Sequence, residues 1–311
     1  MESNNRFWHV ILNPIALNGK RIHFWNKIAR ELMQDGFEFI EWVTTKRENA
    51  IDVAESIIKK GGTQILIVGG DGTLNEVVNG VMKLPKLASQ ILLCVVPSGT
   101  GNDWAKTHRL KPTAKSIRAM LLNGKVVKHD VGIVHSIKNH ETTSRFFINI
   151  AGFGFDAAVI QRVYESRKYR IGNKFIYIKN VLTTLFFHRS VECIIKHDGL
   201  VSKADIFSIA AGICKYNGNG MKQVPMADFQ DGYIDFVFIC KMSRWSLITQ
   251  VPKLFSGKHV HHPKVFHVRS EKCTITPLGR VLGEVEGEMI EEGSYQVEIA
   301  AEQLKFLVPS N

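Results

Sequence analysis

Along the first third of the chain, short apolar runs alternate with stretches in which apolar residues recur every three or four positions. A run of four to eight apolar residues predicts a strand buried on both faces, and the wider spacing predicts an amphipathic helix. Phe7 to Leu12 is the first predicted strand. A helix over about 23–33 follows, with Phe24, Ile28 and Leu32 on one face. A strand over 37–43, a helix over 50–58, a strand over 65–68, a helix over 74–81 and a strand over 91–96 continue the series. Strand and helix in strict alternation predict an α/β domain with a mostly parallel sheet.

Beyond about 126–135 the texture changes. Strand-like segments at 145–150, 191–196, 205–211 and 234–239 are separated by Gly, Asp and Asn, and a helical insertion over 172–187 interrupts them. This predicts a second domain, a β-rich sandwich. The expected division is 1–130 for the α/β domain and 131–299 for the sandwich, with 300–311 returning to the first domain through the strand Leu304 to Val308.

The 311 residues suffice for two domains, and 45% hydrophobic with 22% charged residues is ordinary for a folded chain. No apolar run reaches the roughly 20 residues that a membrane-spanning helix needs. The opening Met1 to Arg6 lacks the pattern of a secretory leader. Five cysteines, an odd number without a Cys-x-x-Cys pair, read as reduced thiols. A cytoplasmic location is therefore expected. The net charge of +11 favours a polyanionic partner, with clusters around Lys106 to Lys111 and Arg162 to Lys174. No nucleic-acid-binding signature accompanies it, so an anionic membrane surface or a phosphorylated ligand is preferred to nucleic acid. The alternative is a solvated basic face.

Two predicted strands run into glycine-rich loops, Gly69-Gly70-Asp71-Gly72-Thr73-Leu74-Asn75-Glu76 and Pro97-Ser98-Gly99-Thr100-Gly101-Asn102-Asp103. Glycine lets a backbone approach a phosphate, and a helix N-terminus offers N–H groups to an anion. Tight turns are the alternative for either loop alone. Neither is a Walker A loop, and the first strand–helix turn, Asn13 to Lys20, is not a dinucleotide fingerprint.

Asn13-Pro14 with Gly19, the Gly69 to Glu76 loop and the Pro97 to Asp103 loop together resemble the nucleotide-binding motifs of the diacylglycerol kinase catalytic domain. The resemblance implies a Rossmann-like nucleotide-binding first domain and a soluble kinase that phosphorylates a lipid with ATP. It implies ATP contacts at Asn13, Pro14, Thr44, Gly69, Gly70, Asp71, Gly72, Thr73, Asn75, Thr100 and Asn102. Asp71, with Asp103 and Asp130, would form an acidic network towards Mg2+.

Asp228 and Asp231, three apart before Gly232, offer hard oxygen ligands to a divalent cation, or else form an Asp-Gly turn. The resemblance implies a magnesium site here, with Asp231 as side-chain ligand and residues 228 and Tyr233 contributing backbone oxygens. Glu284, Glu286 and Glu288 alternate with other residues, so on one strand they would share a face and raise one another's pKa. A solvated strand face is the other reading. The resemblance implies Glu288 as the catalytic base beside Asp71, with Glu286 standing where the family carries Asp. The tract His259 to Pro263 reads as a loop, and Asn149 to Asp156 as a segment of structural turn glycines. The implied location is the inner face of an anionic membrane, and a homodimer is left open. Rival readings are an NAD kinase-like enzyme, which shares Gly-Gly-Asp-Gly-Thr, and a non-catalytic nucleotide sensor.

Overall fold

The computed structural model describes residues 6–14, 20–44, 49–99, 101–167 and 174–310. The chain divides into two compact units, Met1–Val131 with Ala301–Asn311, and Gly132–Ala300.

The first unit contains β1 (Phe7–Leu12), α1 (Lys20–Gln34), β2 (Glu38–Val43), α2 (Asn49–Lys59), β3 (Gln64–Gly69) and α3 (Asp71–Met82). The single turn α4 (Pro85–Ala88), β4 (Leu92–Pro97), α5 (Asp103–Thr107), α6 (Ala114–Asn123), β5 (Lys125–His129) and the last strand β17 (Leu304–Val308) complete it. Its sheet runs β2-β1-β3-β4-β17-β5, parallel throughout except for β5 at the edge. Val10, Leu12, Leu66, Val68, Cys94 and Val96 pack against Trp25, Ile28 and Leu32 of α1 and Ile117 and Met120 of α6. Their strand neighbours Ile11, Ile65, Ile67, Leu93 and Val95 are equally buried on the opposite face, where α2 and α3 pack on β1 and β3. Helices on both faces explain why these strands are apolar without alternation.

The strand order places a topological switch between β1 and β3. The connection from β1 leads to β2 on one side, and the next crossover returns to β3 on the other. Ligands of open α/β sheets bind in the crevice at the carboxyl ends of such strands.

The second unit opens with β6 (Gly132–Lys138), β7 (Glu141–Phe147), β8 (Ile150–Gly154), α7 (Phe155–Arg167) and α8 (Lys174–Phe187). It continues with β9 (Val191–His197), β10 (Leu200–Gly212), β11 (Ile234–Cys240), α9 (Arg244–Ser256) and β12 (Val265–Ser270). β13 (Lys272–Pro277), β14 (Gly283–Val285), β15 (Glu288–Ile290) and β16 (Ser294–Ile299) follow. All its pairings are antiparallel, along the path β15-β14-β8-β10-β9-β13-β16-β6-β7, with β11 joined to β10 and β12 to β11. Leu200 to Ile206 of β10 pair with β9, whereas Ser208 to Gly212 pair with β8. The two halves of this long strand therefore pair with different neighbours. The sheet curls over a core of Phe147, Phe153, Ile195, Phe236, Phe238, Ile275 and Tyr295.

Two expectations need correction. The predicted strand over 145–150 spans a break: β7 ends at Phe147 and β8 begins at Ile150. Asn149 to Asp156 is not a run of turn glycines, because residues 150–154 are a strand and Phe155 opens an unpredicted helix. Only Gly154, at the strand end, takes a positive φ of +83°.

Candidate functional site

Three motifs meet at the carboxyl ends of β1, β3 and β4. Asn13 follows β1, and its Nδ2 donates to Thr73 Oγ1 at 3.0 Å, across the switch between β1 and β3. Pro14, next along, is half-buried. Thr44, at the end of β2, is buried, and its backbone and hydroxyl both donate to the Leu12 carbonyl, at 2.8 and 3.1 Å. Gly69 accepts from Ser98 N at 2.8 Å, so the loops after β3 and β4 continue the ladder between them. Beyond it Gly70 and Gly99 touch backbone to backbone: a Cβ on Gly99 would stand 2.5 Å from the Gly70 Cα, and one on Gly70 2.9 Å from the Gly99 Cα. No other residue type fits either position without moving a loop. Gly72, the second residue of α3, has open space where a Cβ would be.

Asn102 organises the second loop. It sits in the left-handed region at φ +51° and brackets Gly99, its Oδ1 accepting from Gly99 N at 2.9 Å and its Nδ2 donating to Gly99 O at 3.0 Å. Asn75 is fully buried in α3 and accepts on both its oxygens from Asn79. The cap of α3 is Gly70, which has no side chain to satisfy the first N–H groups of the helix. Such an end is a ready anion site. Thr100 lies outside the described residues.

The acidic residues of this unit are engaged structurally. Asp71 accepts from the N–H groups of Asp103 at 2.9 Å and Trp104 at 3.3 Å, binding the start of α3 to the start of α5. Burial pushes its pKa up, opposed by those two N–H groups. Asp103 pairs with Lys106 at 2.9 Å. Asp130 accepts from Gln303 Nε2 at 2.6 Å, which ties β5 to the segment entering β17.

The proposed metal grouping in the second unit is likewise occupied by protein. Asp231 accepts from Tyr233 N at 3.0 Å and forms an ion pair with Arg269 at 2.5 Å. The same guanidinium lies over the Tyr233 ring, 4.7 Å from its centre. Asp228 is exposed and accepts from Gln230 N at 3.3 Å. A hard divalent cation needs about six oxygens around it. Here one carboxylate oxygen of Asp231 closes an Asx turn and the other pairs with the Arg269 guanidinium.

The three glutamates do not share a strand face. Glu286 (φ +51°) and Gly287 (φ +87°) form the tight turn between β14 and β15, and this turn breaks the two-residue alternation. Glu288 lies opposite Val285 and Glu284 opposite Met289, so Glu284 and Glu288 point to opposite faces. Glu286 Oε1 accepts from the N–H groups of Ile148 at 2.7 Å and Asn149 at 2.8 Å, which fastens the turn to the β7–β8 break. Glu284 is buried and accepts from Gly287 N at 2.7 Å. Burial lifts its pKa to about 8, with the charges of Asp156 and Glu286 adding to the rise.

Asp156, at the start of α7, is the residue that sequence reasoning missed. Burial raises its pKa to about 6, while Ser208 Oγ at 3.0 Å and Gln223 Nε2 at 2.5 Å donate to its Oδ2. A Cβ on Gly152 would meet Glu284 Oε1 at 2.6 Å and Asp156 Cβ at 2.9 Å, so the glycine makes room for two carboxyl groups. The only sequence sign of this pair was an acid directly after an apolar glycine-rich strand. Asp156, Ser208 and Gln223 form the polar floor of a cavity of about 60 Å³, walled by Phe155, Leu185, Leu247 and Leu254. That space suits a few waters rather than an acyl chain. His259 closes another side within a short 3₁₀ turn, Lys258–His261, its Nε2 bonded to the Gln223 carbonyl at 3.1 Å. The predicted loop is therefore a turn with one buried imidazole.

A parallel sheet with glycine loops at its switch point, followed by a curled antiparallel sheet, defines a two-domain α/β plus β architecture. Residues 8–134 match the model of the diacylglycerol kinase catalytic domain, and residues 149–308 that of the YegS C-terminal NAD kinase beta sandwich-like domain. The chain belongs to the diacylglycerol kinase catalytic-domain family with a YegS-type second domain. A diacylglycerol kinase of Staphylococcus carnosus (strain TM300) is 27% identical over 281 residues, 90% of this chain and 87% of its own length. One from Staphylococcus aureus (strain bovine RF122 / ET3-1) is 28% identical over 258 residues, 83% of this chain and 78% of its own. The crystal structure of a diacylglycerol kinase from Bacillus anthracis str. Sterne superposes with a TM-score of 0.74 at 18% identity, over 98% of this chain and 97% of that one.

Proposed function

We propose that this chain transfers the γ-phosphate of ATP to the hydroxyl of a lipid, with a diacylglycerol-like molecule as the first acceptor to try. The observation that carries the reading is the meeting of Asn13, Thr73, Gly70 and Gly99 at the switch point of the first sheet, within the matched catalytic domain. ATP phosphates would lie against the loop N–H groups and the open end of α3, where glycines permit close approach. Such transfer depends mainly on positioning and charge compensation.

The second unit would supply the proton acceptor. Glu288, held beside the turn that Glu286 fastens, is the base we propose for the lipid hydroxyl. Asp71 keeps α3 and α5 together and so acts by positioning. Magnesium would be carried by the ATP phosphates, and Asp231, with the backbone oxygens of Asp228 and Tyr233, would be the protein's own position for a second ion. The enzyme would work as a peripheral protein on an anionic membrane, to which its net charge of +11 would draw it. Incubation with γ-labelled ATP and a panel of lipid acceptors in mixed micelles tests this. Label in a lipid product supports the reading and names the acceptor, whereas ATP binding without transfer to any lipid overturns it.

A further inference from the structure

The net charge of +11 is not spread over the chain. Residues 166–191 and 236–270 contain twelve Lys and Arg and no Asp or Glu. Of 40 basic and 29 acidic residues in total, this leaves 28 basic against 29 acidic elsewhere, so the remainder is close to neutral. These two segments carry α8 and α9, which pack together in the second unit.

The same helices carry the exposed aromatic surface. Trp245 is 78% exposed, Phe187 71%, Phe255 57% and Phe186 51%, and they are the exposed Phe and Trp side chains among the described residues. Leu182, one turn before Phe186, is exposed as well. The inner sides of both helices are satisfied, with Leu185 and Leu247 buried against Phe207. Arg244 Nη1 donates to the Leu185 carbonyl at 2.8 Å, which holds the first turn of α9, with Trp245, against the last turn of α8, with Phe186 and Phe187. Lys179, Arg189, Lys253 and Lys258 are exposed on or beside the helices. Among the described residues of these segments, Lys241 lies 3.5 Å from Asp205 and Arg269 pairs with Asp231 at 2.5 Å, both cations lying outside the two helices.

Water-exposed aromatics on a helix pair are unfavourable in solution and mark a contact surface. Aromatic and leucine side chains with Lys and Arg around them, and no acids, are what an interfacial helix offers to lipid. We infer that the outward face of α8 and α9 seats the protein on an anionic bilayer, with Phe186, Phe187 and Trp245 entering the headgroup layer and the basic residues facing lipid phosphates. A neutral bilayer would satisfy the rings but not the charge, and an acidic polymer the charge but not the rings. The inference rests on the lipid-kinase reading only for the purpose of docking. Binding itself needs neither nucleotide nor acceptor, so it stands or falls separately from transfer.

The test is sedimentation of the whole protein with vesicles of phosphatidylglycerol and phosphatidylcholine at equal total lipid, without ATP. Binding is expected to rise with phosphatidylglycerol and to weaken as salt is raised. Phe186→Ser with Phe187→Ser, and separately Trp245→Ser, are expected to lower the partition at least about tenfold while leaving the circular dichroism and melting of the protein unchanged. Lys253→Glu with Lys258→Glu should abolish the preference for anionic lipid. Equal binding to both vesicles, undiminished binding of the aromatic variants, or tighter binding to duplex DNA or polyglutamate than to phosphatidylglycerol would each overturn the inference.

Discussion

The two units handle charge in opposite ways. The first brings two glycine loops together, with Gly70 pressed on Gly99 and no side chain capping the helix that begins at Asp71. The second collects carboxyl groups around a glycine, with Glu284 and Asp156 both crowding Gly152. Donors fixed in a backbone grip an anion without changing protonation. Carboxyl groups raised into the neutral range can exchange protons. On the proposed reading, the first unit contributes to nucleotide binding, and Glu288 of the second, which points away from Glu284, is the proposed proton acceptor.

The largest expected effect falls on the proposed base of the second unit. Glu288→Gln should lower transfer by about 10²- to 10⁴-fold with ATP affinity unchanged, measured by initial rates beside calorimetric titration. Loss of ATP affinity instead would place Glu288 among the binding groups. Gly99→Ala strikes the loops of the first unit. Its Cβ would meet the Gly70 Cα at 2.5 Å, so one loop must move. We expect a loss of about 1–3 kcal/mol of stability in urea titrations and at least tenfold weaker ATP binding. A variant that melts and binds ATP like the wild type would dissolve the claim that the loops must touch.

The raised acids give a pH signature. Glu284 titrates near 8 and Asp156 near 6 in the folded protein, well above the ordinary carboxyl range. Between those values and the ordinary range, the folded state holds protons that the unfolded chain has released. Stability therefore falls as pH rises from about 5 to about 8, with a slope approaching 1.4 kcal/mol per pH unit for each such group. Glu284→Gln should flatten the upper part of that fall in melting curves taken across this range. An unchanged slope would mean that Glu284 is ionised in the fold. The smallest effect is expected at Asn13→Ala, about 0.5–1.5 kcal/mol from the lost bond to Thr73, read as a modest loss of stability or ATP affinity.

The parallel sheet was legible because both its faces are covered, which leaves uninterrupted apolar runs such as Ile65 to Val68. The glycine loops were legible because close backbone approach restricts residue choice. Hairpins and side-chain networks were harder to read. Glu284, Glu286 and Glu288 follow the spacing of a strand face, yet Glu286 with Gly287 also suits a two-residue turn, and local spacing does not distinguish the two. Asp231 lies before a glycine in either a metal site or an Asx turn, and its partner Arg269 is 38 residues away. Asp156 owes its raised pKa to burial behind an apolar wall, against the opposing hydrogen bonds from Ser208 and Gln223, and only the folded chain assembles that setting.

The measurement that bears most directly on the division between the units is a single turnover. Enzyme preloaded with γ-labelled ATP is mixed with diacylglycerol in micelles, wild type beside Glu288→Gln. Label should pass to lipid in the wild type and remain on bound ATP in the variant. Label that stays on ATP in both proteins, or reaches lipid equally in both, would contradict it.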